Sequence, residues 1–182
     1  MKDPSTASTA GLMFEVVGHV YVVKRARDAL CIRVLEDGSE QQLHLEHIDP
    51  KVEEFSRFPF DEVHHPDATK YYRPVSGNLT GIDSFAFERD ENHTITGVVM
   101  FQYTISTTRH SVKMGFIKQL WDALKNEHRE MWQWKLVFVI PKDEDRKAFR
   151  KKMPTKALMT AVSQFALEID LKDMWKTMCS SH

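Results

Sequence analysis

The chain is poor in several things that usually identify a protein. It has two cysteines in 182 residues, Cys31 and Cys179. They lie far apart in sequence, which excludes a disulfide scaffold and makes a reducing compartment the simpler reading. No apolar run is long enough to cross a bilayer, so no membrane partner is expected. Met1 to Ala10 is polar and Ser/Thr-rich, without the apolar stretch of a usual secretory signal peptide. Charge of one sign is also lacking, with 25 Lys and Arg against 26 Asp and Glu. Any basic patch must therefore be local. There is no phosphate-binding Gly-rich loop, no nucleophile elbow and no Cys/His pair of known spacing. What the chain does have is 42% hydrophobic residues, eleven Phe and four Trp. That composition fits one globular domain over residues 11–182 behind a flexible arm at 1–10.

Hydropathy patterning predicts an α/β protein. Gly11 to Arg27 reads as a helix through Leu12, Met13, Val16, Val17, Val20 and Val23, capped by Ser8 or Thr9. Leu30 to Leu35 and Gln41 to Leu45 flank the turn signal Asp37-Gly38 and read as a hairpin. Asp49 to Thr69 carries three prolines and reads as a loop with a short helix at Val52 to Arg57. Tyr71-Tyr72 is a short strand. Ile82 to Phe87 and Thr96 to Ile105 are a second hairpin, and Val112 to Glu127 is a helix. Lys135 to Ile140 is a continuous apolar strand, suited to a sheet covered on both faces. Lys142 to Met153 is charged and reads as helical. Val162 to Ile169 leans to strand, and Leu171 to Met178 is a terminal helix. The layout implies a central mixed sheet with helices on its faces.

The chemistry-bearing candidates sit on these elements. Asp83 opens one strand of the second hairpin, and Gln102-x-Thr104 ends its partner. Antiparallel pairing brings both to one end of the sheet. Glu15 lies in an otherwise apolar helical stretch, where a buried unpaired charge is costly. Glu15, Asp83 and Gln102 together would offer oxygen ligands to Mg²⁺ or Mn²⁺, which take carboxylates, water and phosphate oxygens. The plainer alternatives are a solvent-facing Glu15 and an Asp83 that caps the turn after Gly81. A carboxamide is a weaker ligand than a carboxylate, and Thr104 supplies no cation to stabilise a phosphorane. Lys113 or Lys118 on the following helix could take that place, Lys113 lying nearer its start. A solvated lysine is the alternative for both.

His19 lies one turn after Glu15, as a supporting partner, an acid/base, or a satisfied core histidine. His110 stands at the mouth of the next helix, where it either meets phosphate or caps the helix. Lys142, Arg146, Lys147, Arg150, Lys151 and Lys152 form the one dense basic segment, suited to phosphate contacts or to a solvated helix. Trp132 and Trp134 stack on bases or pack in the core. His44-x-x-His47 and His64-His65 lack a third ligand at zinc spacing.

Several segments resemble, in order, those of the Crinkler-RHS proteins, effector-like and retrotransposon-hot-spot-like proteins of fungi, oomycetes and trypanosomes. They are Gly11-Leu12-Met13-Phe14-Glu15-x-x-x-His19, Cys31-Ile32-Arg33-Val34-Leu35, Tyr72-Arg73-Pro74 with Asn78, and Ile82-Asp83-Ser84-Phe85. Phe101-Gln102-Tyr103-Thr104, Thr108-x-His110, Phe138-Val139-Ile140-Pro141 and Gln164 to Ile169 continue the series. The resemblance covers nearly all of the chain after about residue 10. It implies a restriction-endonuclease-like fold of the PD-(D/E)xK superfamily. In that family the domain commonly sits behind a P-loop ATPase, which this chain lacks, so a stand-alone module or a truncated product is expected. Carried over, Glu15 is the helix acid, Asp83 the first strand acid and Gln102 the third ligand. Thr104 falls where the superfamily has its lysine. The resemblance further implies Mg²⁺ or Mn²⁺, DNA as partner, and action in a nucleus, that of a host cell after secretion. An inactive nuclease fold that binds DNA or a host nuclear protein is the alternative. A module regulating an NTPase on a longer product is a third reading.

Overall fold

In the computed structural model, the described residues are 4–49, 52–55, 66–74, 82–105, 114–124, 129–142 and 162–179. Helix α1 runs Pro4–Arg25 and continues into a 3-10 turn at Ala26–Asp28. The strands are β1 Leu30–Val34, β2 Glu40–Leu43, β3 Val52–Phe55, β4 Tyr71–Pro74, β5 Ser84–Arg89, β6 Ile95–Tyr103, β7 Gln133–Pro141 and β8 Val162–Ile169. Helix α2 spans Met114–Ala123 between β6 and β7, and α3 spans Leu171–Cys179.

All eight strands form one sheet in the order β2-β1-β8-β7-β6-β5-β4-β3. β6, β7 and β8 run parallel at its centre, and β5 pairs antiparallel with β6. The β6-α2-β7 unit is the crossover that parallel neighbours require. The expected α/β class with a mixed sheet is thus observed. The hairpin at Asp37-Gly38 forms with Leu30 opposite Leu43. Gly38 takes a φ of 79°, the left-handed conformation that glycine adopts without a Cβ clash.

The sheet is covered on both faces, and strand alternation sorts its side chains. One core holds Phe85, Phe87, Val98, Met100, Leu136 and Phe138 against Phe116, Ile117, Leu120 and Trp121 of α2. The other holds Tyr71, Ala86, Val99, Phe101, Tyr103, Val137 and Val139 against Phe14, Val22 and Val23 of α1 and Met174 of α3. In the first core Tyr72 stacks on Phe85 with centroids 4.8 Å apart. Such pairs add about 0.5–1.5 kcal/mol beyond the area they bury. Trp132 and Trp134, weighed above as base-stacking groups, belong to this core at 5% and 1% exposure.

A largely buried charged pair is built into the sheet. Lys135 Nζ donates to Glu88 Oε1 at 2.7 Å, each side chain 13% exposed. Glu88 lies on β5 opposite Gly97 of β6, and Lys135 lies on β7 beside Val99. The pair therefore spans β6 near Gly97. A Cβ there would stand 2.8 Å from Glu88 Oε2 and 2.7 Å from the Gln133 carbonyl oxygen.

Two expectations need correction. Helix α1 begins at Pro4 rather than Gly11, so Ser8 and Thr9 are interior and not caps. Its buried face is Phe14, Gly18, His19, Val22, Val23 and Ala26, while Leu12, Met13 and Val16 are exposed. The helix is apolar on more than one side, so its periodicity alone cannot fix which side packs. Val52–Phe55, expected as helix, is strand β3 and pairs parallel with β4. A four-residue segment carries too little periodicity to separate the two states. The proposed helix over Lys142 to Met153 falls outside the described residues beyond Lys142.

Candidate functional site

The polar core of the molecule lies between α1 and the ends of β4, β5 and β6. Tyr71 of β4 lies opposite Ala86 of β5, Ser84 opens β5 opposite Phe101, and Tyr103 ends β6; the Tyr71 side chain reaches along the α1 face to the other two. The Tyr71 hydroxyl lies 2.8 Å from the Tyr103 hydroxyl, 2.6 Å from Ser84 Oγ and 2.8 Å from His19 Nδ1. All four residues are buried, His19 at 1% exposure and Tyr71 at 0%. The Tyr103 ring lies against α1 because residue 18 is glycine. A Cβ on Gly18 would come within 2.5 Å of two Tyr103 ring carbons. The same ring packs tilted on the His19 imidazole, with centroids 4.3 Å apart.

Both sequence-predicted carboxylates lie beside this network. Glu15 is one helical turn before His19, with Oε1 3.9 Å from His19 Nε2. That Nε2 atom is buried without a hydrogen-bond partner. Asp83 accepts a hydrogen bond at Oδ2 from the Tyr103 backbone N–H at 2.7 Å. The carboxylate thus stands in for a strand carbonyl just before β5 begins, and Asp83 N–H donates to the Phe101 carbonyl at 2.9 Å. The helix acid thus stands 3.9 Å from the cluster at His19, and the strand acid meets it at the Tyr103 backbone.

Gln102 is placed differently. The β5–β6 register stops at Ser84 opposite Phe101, and Asp83 leaves it: its N–H goes to the Phe101 carbonyl and its carboxylate to the Tyr103 N–H. Gln102 sits beside Phe138 of β7. Alternation along β6 groups it with Val98 and Met100, on the α2 side, whereas Glu15 rides on α1 over the other side. Thr104 is half-buried beyond the end of β6, and its N–H donates to the Val139 carbonyl at 3.0 Å. Two carboxylates and a carboxamide are the hard oxygen donors that Mg²⁺ and Mn²⁺ take. Among the described residues no three His, Cys, Asp or Glu side chains stand together as a metal site. Glu15 and Asp83 offer hard oxygen donors of the right chemistry, and Gln102 a carboxamide oxygen from β6.

Burial holds the His19 imidazole below its ordinary value. The nearby Glu15 carboxylate opposes that shift, and the Arg73 charge adds to it. Burial drives the Tyr71 and Tyr103 hydroxyls well up, so both stay protonated and act as hydrogen-bonding groups rather than bases. The Arg73 charge is felt at Tyr71 as well as at His19. Arg73 is half-buried on β4, and the next step of the β4–β5 register sets it beside Ser84. It is a cation at this network that spacing alone did not single out.

Lys118 faces solvent on α2, with its Nζ 2.8 Å from Asp122 Oδ2. Lys113, His110, Lys147, Arg150 and Lys151 lie outside the described residues. His47 Nε2 is 3.0 Å from the Phe87 carbonyl oxygen, and His44 is exposed beside Glu46. Tyr71, Ser84 and Tyr103 were missed as a group. The available signal was the alternation of Ser84 with Phe85 and of Tyr103 with Gln102, which sets two hydroxyls facing α1. No family model, curated protein or solved structure matches this chain.

Proposed function

We propose that the chain is a Crinkler-type domain of restriction-endonuclease-like fold that acts on or at DNA in a nucleus, cleaving phosphodiesters with Mg²⁺ or Mn²⁺. The observation that carries this reading is the placement of Glu15 and Asp83, from a helix and from a strand start, beside one buried cluster at the end of the sheet. A β4-β5-β6 meander, then α2, then β7 parallel to β6 supports the fold assignment.

In this reading Glu15 and Asp83 are the carboxylates that hold the cation, and Gln102 adds a carboxamide oxygen. The bound ion would polarise the scissile phosphate and lower the pKa of an attacking water. Asp83 is fixed by the Tyr103 N–H, so its second oxygen keeps its direction. Arg73 supplies positive charge on the same side of the sheet and takes the role that Thr104 cannot fill. Lys113 and His110 are the further groups proposed at the phosphate, with Lys147, Arg150 and Lys151 as backbone contacts to DNA. A P-loop NTPase on a longer product is the proposed partner domain.

A second reading is favoured by the side of β6 on which Gln102 lies. Here the fold has kept its cluster for structure and binds DNA or a host protein without cleavage. Thermal unfolding with and without Mn²⁺ separates the two. A bound ion raises Tm by mass action, by an amount equivalent to about 2.7 kcal/mol at a hundred times Kd. The nuclease reading expects a rise in the wild type that Asp83→Ala abolishes. No rise at millimolar Mn²⁺ would sink it.

A further inference from the structure

We propose that His19 is a positioning residue for Glu15, held by Tyr71 as the tautomer that carries its proton on Nε2. The significance given to Glu15 rests on the function proposed above; the tautomer and the contact do not.

The Tyr71 hydroxyl has one proton to give and two lone pairs, and three neighbours within 2.8 Å: His19 Nδ1, Ser84 Oγ and the Tyr103 hydroxyl. In the first arrangement Tyr71 donates to Nδ1, and Ser84 and Tyr103 both donate to Tyr71. Every capacity of the Tyr71 oxygen is then used. The imidazole proton sits on Nε2, facing the Glu15 carboxylate 3.9 Å away. In the second arrangement Nδ1 donates to Tyr71. Nε2 then turns a bare lone pair toward a carboxylate, two acceptors facing each other with no proton between them. Nε2 is buried without a partner, where that opposition is not relieved by solvent. The first arrangement is therefore the stable one.

The sequence fixes who meets whom. Glu15 and His19 are four residues apart on α1, so they are neighbours on the helix surface. The side chain of Glu15 is 32% exposed while that of His19 is 1% exposed. The carboxylate is the movable partner, and about 1 Å of travel closes 3.9 Å to an ordinary hydrogen bond. Once made, that bond occupies one Glu15 oxygen from the buried side and leaves the other directed outward. Outer partners of this kind typically hold about 10–100-fold of a metal site's affinity.

The test begins on the wild-type chain and needs no variant to fold. Long-range ¹H–¹⁵N correlation on histidine-labelled protein reads each tautomer, and the His19→Gln spectrum assigns His19 among the nine histidines. The Nε2–H form is expected; the Nδ1–H form overturns the proposal. Titration with Mn²⁺ gives the second arm. A glutamine amide reaches the place of Nε2, and an asparagine amide only that of Nδ1. His19→Gln should bind within a few-fold of wild type and His19→Asn about 10–100-fold more weakly. Equal affinity in the two folded variants would show a merely structural histidine. If the wild type binds no Mn²⁺, the nuclease reading fails and the tautomer alone decides this inference.

Discussion

Replacing Gly18 with alanine sets a local preference against a tertiary contact, and the structure says which prevails. Alanine is favoured over glycine inside a helix by about 1 kcal/mol. Against this, the new Cβ would stand 2.5 Å from both Cδ1 and Cε1 of Tyr103. The ring cannot yield freely, because His19 packs on it and Tyr71 holds its hydroxyl at 2.8 Å. Forcing a methyl group into such a site costs about 1–3 kcal/mol. Loosening the buried hydroxyl contact costs about 1 kcal/mol more. The net expectation is a destabilisation of about 2 kcal/mol, or a fall in Tm of about 4–8 °C for a chain of this size. Urea unfolding of wild type, Gly18→Ala, Tyr103→Ala and the double variant forms the assay. With the ring gone, Gly18→Ala should become neutral or stabilising, because only the helix preference remains. A Gly18→Ala protein more stable than wild type would refute the close approach of α1 to β6.

Other outcomes follow from the same physics. The folded His19 titrates below its ordinary value of about 6.5, so the unfolded chain takes up its proton first as pH falls. Its contribution is fully present above that value and is lost as pH drops toward the folded one. Urea midpoints at two pH values either side of it should therefore differ less in His19→Gln than in wild type. Lys135→Met should destabilise by about 3–5 kcal/mol, because it strands Glu88 where each partner is 13% exposed. Adding Glu88→Leu should recover most of that loss in the same unfolding assay. Gln102→Ala should weaken Mn²⁺-induced stabilisation less than Asp83→Ala, since Gln102 lies on the α2 side of β6; the reverse order would place Gln102 at the centre of the site.

The parts of the fold legible in the sequence are those whose pattern is self-contained. Leu136 to Ile140 is continuously apolar because β7 is covered on both faces. Asp37-Gly38 set its hairpin through a backbone conformation that glycine supplies. Glu15 and His19 were legible as a pair because helical spacing alone makes them neighbours. The remainder depends on long-range pairing. The face α1 buries is chosen by the fit of Gly18 against Tyr103, which no periodicity within the helix reports. Tyr71, Ser84 and Tyr103 meet only through the β4–β5–β6 register, so three unremarkable residues became one cluster. Strand β3 exists as a parallel neighbour of β4, and its four residues hold no strand signal of their own.

The most direct measurement is cleavage of supercoiled plasmid by the folded chain in Mg²⁺ and in Mn²⁺, beside Glu15→Ala, Asp83→Ala and a chelated control. Nicking that needs the metal and is lost in both variants is the expected result. A wild type that binds the ion yet leaves the plasmid intact, or nicking that survives in the two variants, would contradict it.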